Sequence, residues 1–317
     1  MTLVQEPSRQ AIAETVEQVR GTGAGELAWG RSYAVVSPDH FRVDYVINPF
    51  MDPADQPDPE RTREQWHAML AALRDAGARV DVLRQRPDSP DMVYAMNLGI
   101  ALTLADGREA FLASHMRYAE RRSETASAAS WAESRGRVVL GVGRDGAGPH
   151  LEAGDLFAWR GDLVAGFGPR TEEAALAPVA AALDVRVRGL RIVHPAMYHL
   201  DLAFCPLDER RAMVCPAAFD DASAAALLDL VPEPLVLTEE EALTFCANAV
   251  VVGRTVLMPA CPPRVRDQLE AWGFRVVLLD LSELHKGGGS VRCLTNPTDL
   301  VVGRDLDVVP GGAVVLP

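Results

Sequence analysis

The chain has 317 residues, 48% of them hydrophobic and 24% charged, with a formal net charge of -13 at pH 7. Those values fit a soluble protein with a substantial core, built as two domains or as one large α/β or repeat-built unit. The acidic surplus leaves no basic stripe to follow phosphates, so nucleic acid is excluded as the expected partner and the long-range field favours a cationic small molecule.

Residues 1–30 are polar, with Gly21, Gly23 and Gly25 close together. They read as an N-terminal extension, a short helix over about residues 10–19 or disordered, ahead of one domain spanning 31–317 whose core begins at Tyr33. A strand is expected at 32–36. A helix follows at 58–75, opened by Pro59 and stopped by Gly77, with Trp66, Met69, Leu70 and Leu73 at helical spacing. Strands are expected at 79–83, 99–103 and 110–113, a helix at 120–135, and a strand at 137–142. Runs 156–160 and 162–166 flank Gly161 as a hairpin. The helix expected at 171–183 has Thr171 as its cap and Glu172 and Glu173 in its first turn. Strands at 185–187, 202–206 and 211–215, a helix at 220–230 and a strand at 234–237 come next. After a helix at 238–245, a second hairpin pairs 249–252 with 255–258. A helix at 262–272 and strands at 275–279, 291–294 and 300–302 complete the series. Hairpin, helix and strand recur about every 50–60 residues without a linker of shifted composition, which favours similar ββαβ units in one domain.

The five cysteines, Cys205, Cys215, Cys246, Cys261 and Cys293, are odd in number and lack a C-x-x-C spacing. That points away from a disulfide framework or structural zinc and toward a reducing cytoplasm. No basic segment leads into an apolar run at the N-terminus, so a secretory signal is not expected. No apolar stretch approaches bilayer-spanning length, so neither is a membrane partner.

Cys293 follows Gly287-Gly288-Gly289, with Lys286 and Arg292 on either side. Glycines let the backbone approach a ligand, and nearby cations favour the nucleophilic thiolate. Four other segments carry chemistry: Asp91 to Asn97 after Pro90, His115 to Glu124, Leu151 to Phe157 reaching on to Arg170, and Tyr198 to Phe204. The last alternates, so as a strand it sets His199 and Asp201 on one face, fit for proton transfer or for holding a metal. Each segment alone also fits a structural role: a turn, a hairpin entry, a solvated helix start or a polar strand end.

Together the segments resemble the guanidino-group-modifying superfamily, the penteins, over about residues 33–302. Its members include dimethylarginine dimethylaminohydrolase, arginine deiminase, succinylarginine dihydrolase and the amidinotransferases. The stretch Ile47-Asn48-Pro49-Phe50-Met51 and the segment Pro90-Asp91-Met92-Val93 are most similar to the bacterial dimethylarginine dimethylaminohydrolase-like branch. The resemblance implies an α/β fold, a five-bladed α/β propeller of ββαβ units with pseudo-fivefold symmetry and its active site in the central channel. It implies Cys293 as nucleophile, His199 as acid and base, and Glu152 holding His199 or the substrate. Asp91, Glu152 and Asp201 would grip a planar guanidinium by paired hydrogen bonds, and Arg121 and Arg170 would bind the α-carboxylate. Asn97 stands where arginine deiminases and the animal enzymes carry Asp, and succinylarginine dihydrolase carries a similar Asn. Met96 beside it would give an apolar lip suited to a methylated guanidine.

The expected activity is hydrolysis of a guanidino amino acid, with Nω-methylated arginine giving citrulline and methylamine as the leading reaction. An amidinotransferase and a non-catalytic propeller-fold binding protein are the alternatives, and a metallohydrolase using His199 and Asp201 is the outsider. No metal or other cofactor is required by the covalent chemistry, and homo-oligomerisation stays open.

Overall fold

The computed structural model describes residues 25–104, 106–143 and 147–303. The helix or disorder expected over 10–19 lies outside the described residues. In chain order, the first unit has β1 (Ser32–Val36), helix Pro59–Asp75 and β2 (Arg79–Leu83), with β2 parallel to β1. The second has β3 (Gly99–Leu104) and β4 (Glu109–Ala113) antiparallel, helix Arg122–Ser134, and β5 (Val138–Leu140) parallel to β4. The same pattern recurs with β6 (Leu156–Trp159), β7 (Asp162–Phe167), helix Leu176–Leu183 and β8 (Val187–Arg191). It recurs again with β9 (Phe204–Pro206), β10 (Arg211–Val214), helix Asp221–Leu230 and β11 (Glu233–Val236). The fifth unit has β12 (Val250–Val252), β13 (Thr255–Met258), helix Pro263–Ala271 and β14 (Arg275–Leu278). Two late strands return to the start: β15 (Asn296–Pro297) pairs antiparallel with β1, and β16 (Leu300–Val302) pairs parallel with β3. The result is five small sheets, matching in number the five blades that the resemblance implies.

Each parallel pair needs a crossover, and a helix supplies it. The first shows why: Asp58 caps it by accepting from the Glu60 and Arg61 N–H groups, and Trp66, Met69, Leu70 and Leu73 bury one face against the sheet.

An Asn or Asp stands at or just before the first strand of every blade: Asn97, Asp155, Asp201, Asn248 and Asn296. These positions tie each blade to the next. Asn97 Oδ1 accepts from Gly154 N at 2.9 Å, and Asp155 Oδ1 accepts from Leu200 N at 2.9 Å. The Asp201 carbonyl accepts from Asn248 Nδ2 at 3.0 Å, and Asn248 Oδ1 accepts from Cys293 N at 3.2 Å. Asn296 Nδ2 closes the circle by donating to the Ala95 carbonyl at 3.0 Å. The turns that carry the candidate functional side chains therefore converge.

Three expectations need correction. Leu27 and Trp29 are buried in the largest core cluster, and Trp29 Nε1 donates to the Ala158 carbonyl, so the core starts before Tyr33. Residues 198–203 are not strand: Leu200–Leu202 is a 3-10 turn, because the Leu200 N–H and the Asp201 carbonyl bond to Asp155 and Asn248 instead of a strand neighbour. Residues 291–294 likewise form a turn, with Leu294 N donating to the Ser290 carbonyl. No helix among the described residues is long and apolar enough to cross a membrane.

Candidate active site

Cys293 sits on the turn after the three glycines, buried, with its sulfur between an acceptor and a donor. The thiol donates to Asp201 Oδ2 at 3.3 Å, and Asn248 Nδ2 donates to the sulfur at 3.1 Å. The glycines are required by contact. A Cβ on Gly289 would fall 2.6 Å from the Tyr94 ring and 2.9 Å from Cys293 Cβ. Tyr94 and Tyr198 clamp the run, their hydroxyls donating at 2.6 Å to the Leu284 and Gly288 carbonyls.

Burial raises the Cys293 thiol well above its ordinary pKa, and the Asp201 charge adds to the rise; the Ser290 N–H and Asn248 oppose it. Burial also raises Asp201, against the pull of His199 and Arg292. Lys286 does not supply the expected activation, whereas Arg292 acts on the sulfur through its charge alone. Lys286 turns to Asp55 and Glu283 at 2.9 and 3.0 Å. Arg292 is buried with its guanidinium against the Trp29 and Phe157 rings. Both are held by neighbours other than the sulfur.

His199 Nε2 lies 2.8 Å from Glu152 Oε2, which also receives Arg170 Nη1 at 3.0 Å. Glu152 Oε1 accepts from Arg117 N at 3.1 Å. Burial works against ionising Glu152, but Arg170 and the His199 hydrogen bond outweigh it and hold the carboxyl far below the usual range. An ionised Glu152 can only accept, so His199 Nε2 carries the proton and Nδ1 is left for transfer. Gly154 makes room for this ring, since a Cβ there would lie 3.1 Å from His199 Nδ1 and 2.6 Å from Asn97 Oδ1.

One cavity is lined by Cys293, His199, Asn97, Asp91, Arg121 and Arg170, with Asn48, Tyr94 and Tyr198 among its other walls. Glu152 and Asp201 stand directly behind that wall, one on His199 and the other on Cys293. All eight expected site residues are thus brought together, but Asp91 and Arg170 stand apart from their expected tasks. Asp91 groups with the arginines: its carbonyl accepts from Arg121 Nη2 at 3.1 Å, and its buried Oδ1 has no hydrogen-bond partner. Arg170 has Nη1 on Glu152 and Nη2 on the Ile47 carbonyl, between the Tyr118 and Tyr198 rings, so it braces the His199–Glu152 pair. Arg121 holds Glu124 through Nε and Nη2, leaving Nη1 for the cavity. Met96 does not form a lip. It is fully buried in the core, and its N–H donates to the Cys293 carbonyl at 3.0 Å.

Asn248 is the functional neighbour that sequence reading missed. Its signal was the Asn-Ala step before β12, which matches Asn97-Leu98, Asp155-Leu156 and Asp201-Leu202. Among the described residues no group of three or more His, Cys, Asp or Glu could hold a metal ion.

A family model described as N,N dimethylarginine dimethylhydrolase, eukaryotic, matches residues 37–300. The chain belongs to the dimethylarginine dimethylaminohydrolase family. This member is 36% identical over 276 residues to the N(G),N(G)-dimethylarginine dimethylaminohydrolase of Mycobacterium tuberculosis, covering 87% of this chain and 88% of that protein. It is 35% identical over 263 residues to the bifunctional arginine dihydrolase/ornithine cyclodeaminase ArgZ of Synechocystis, covering 81% of this chain and 36% of that longer protein. The crystal structure of the N-terminal domain of ArgZ, a mutant bound to substrate, matches with a TM-score of 0.80 at 31% identity. That match covers 86% of this chain and 99% of the domain, which is described as an arginine dihydrolase from the ornithine-ammonia cycle in cyanobacteria. As a dimethylarginine dimethylaminohydrolase family member, the chain is a hydrolase of guanidino C–N bonds, which sets aside the non-catalytic propeller.

Proposed function

We propose that the chain hydrolyses the guanidino group of free L-arginine through a covalent intermediate on Cys293 and carries the ureido product on to ornithine. The observation behind this reading is the state of Asn97. Its Oδ1 is occupied by the Gly154 N–H, so its Nδ2 is the atom left for the cavity. A guanidinium offers only donors, and an amide N–H₂ gives it no grip. A ureido group offers an oxygen, which that N–H₂ can hold and polarise.

The substrate's guanidinium enters beside Cys293 and Asp201, and its charge offsets the carboxylate that keeps the thiol protonated. His199 Nδ1 takes the thiol proton, and the thiolate attacks the central carbon to form an S–C bond. The C–N bond to a terminal nitrogen breaks, and His199 returns the proton to the departing ammonia. Water then adds to the S-alkylthiouronium, His199 takes its proton, and the S–C bond breaks to release citrulline. A second attack on the ureido carbon, with Asn97 donating to the oxygen, expels another ammonia. Hydrolysis of the thiocarbamate gives a carbamate that loses carbon dioxide to leave ornithine. At the far end, Arg121 Nη1 serves the α-carboxylate and Asp91 Oδ1 the α-ammonium.

A second reading, Nω-methylated arginine to citrulline plus methylamine, is favoured by the family model and the M. tuberculosis relative. Burial of Met96 removes the lip that argued for it from the sequence. Separate incubation with arginine, monomethylarginine, dimethylarginine and citrulline decides between the two. Ornithine and ammonia from arginine support the first; methylamine release with arginine inert supports the second.

A further inference from the structure

Asn248 is fully buried and every polar atom of its side chain is used on the nucleophile's surroundings. Oδ1 accepts from Ser290 N and Cys293 N, each at 3.2 Å. Nδ2 donates to the Asp201 carbonyl at 3.0 Å and to Cys293 Sγ at 3.1 Å. One amide therefore fixes the backbone at Ser290 and at Cys293 and aims an N–H at the sulfur. The two groups touching the sulfur act in opposite senses. Asp201 accepts from the S–H and favours the thiol, whereas an N–H donor is bound more strongly by the anion and favours the thiolate.

The ring of blade-joining residues does not by itself demand an amide here. Asp155 occupies the equivalent step in its blade and makes the equivalent acceptor bond to Leu200 N. A carboxylate at 248 could likewise accept from Ser290 and Cys293. It could not donate to the sulfur, and it would set a second negative charge beside Asp201. We infer that Asn248 is a further catalytic residue, donating a hydrogen bond to the Cys293 sulfur that stabilises the attacking thiolate and holds it in line. This inference rests on the reading of Cys293 as nucleophile.

The test is the pH dependence of Cys293 alkylation by iodoacetamide in the full chain, with the labelled cysteine mapped by peptide mass, in wild type and Asn248→Asp. The other titratable or charged groups around the sulfur are Asp201, His199, Tyr94, Tyr198 and Arg292, and all are common to both proteins. The alkylation midpoint is expected to rise by about one to two pH units in Asn248→Asp. Its kcat is expected to fall about tenfold or more, with KM held within about threefold. If Asn248→Asp unfolds, Asn248→Ala is read in the same way, with a smaller rise because no charge is added. An unchanged midpoint in a folded variant overturns the role of Asn248 and leaves the nucleophile reading standing. Failure of wild-type Cys293 to label, together with retained turnover in Cys293→Ser, removes the nucleophile reading and this inference with it.

Discussion

At Cys293, burial and the Asp201 carboxylate both favour the protonated thiol, so under the proposed mechanism the nucleophile stays inactive until a cation enters. This couples reactivity to recognition: the group that the site must bind is also the group that lowers the cost of forming the anion. In the proposed reaction Asn97 decides how far hydrolysis runs. In Asn97→Asp the Gly154 N–H keeps its acceptor, but a carboxylate replaces the donor that faces the cavity. Citrulline should accumulate from arginine and ornithine release should fall about tenfold or more, as measured by product chromatography. Unchanged ornithine output would remove Asn97 from the second hydrolysis. The placement of Cys293, His199 and Glu152 around one cavity was legible only from their segments taken as a set, because each segment alone also fits a turn, a strand end or a hairpin entry. Asn248 was not, because Asn before a strand reads as an ordinary turn, and its contact with the sulfur arises only when the fifth blade meets the first.

Short turns, more than strands, deliver the chemistry. The segments read as strands at 198–204 and 291–294 are turns because their backbone groups bond to neighbouring blades, a contact that periodicity does not encode. The glycine run is the element with least freedom to change. Gly289→Ala would drive a methyl group into the Tyr94 ring and Cys293 Cβ. A loss of about 1–3 kcal/mol in a urea melt is expected, together with a fall in kcat larger than the change in KM, since the sulfur must shift. Full activity in that variant would mean that the turn has slack the close contacts deny. The helices and hairpins, by contrast, were legible to within a few residues, because caps such as Asp58 and Thr238 and the Gly161 hairpin act locally.

Five similar blades joined through one polar step per blade make the whole fold dependent on that ring. The repeat rhythm was legible, but its closure was not, since the two-residue β15 carries too little pattern to show that it completes the first blade. One ring member leaves a pH signature. Burial raises Asp155 to about 6, above the value of about 3.9 for an unfolded aspartate. The folded state therefore binds the proton more tightly. Asp155 contributes stability that is full below about pH 4 and is lost as pH rises through about 6. Glu152 runs the other way: its lowered pKa gives stability present above about pH 4.3 and lost as the pH falls below it. Between pH 4.5 and 7, wild type should lose about 2 kcal/mol more than Asp155→Asn in urea midpoints, because asparagine does not titrate. Equal slopes would show that Asp155 keeps its ordinary pKa in the ring.

The proposed chemistry requires a covalent bond between the substrate's guanidino carbon and one sulfur in this cavity. Acid quenching of the wild-type protein during turnover with arginine, followed by peptide mass mapping, tests it directly. The peptide containing Cys293 should gain the mass of arginine less one ammonia, and Cys293→Ser should show neither the adduct nor turnover while melting as wild type does. Turnover that persists in Cys293→Ser, or an adduct carried by another cysteine, would rule out Cys293 as the nucleophile.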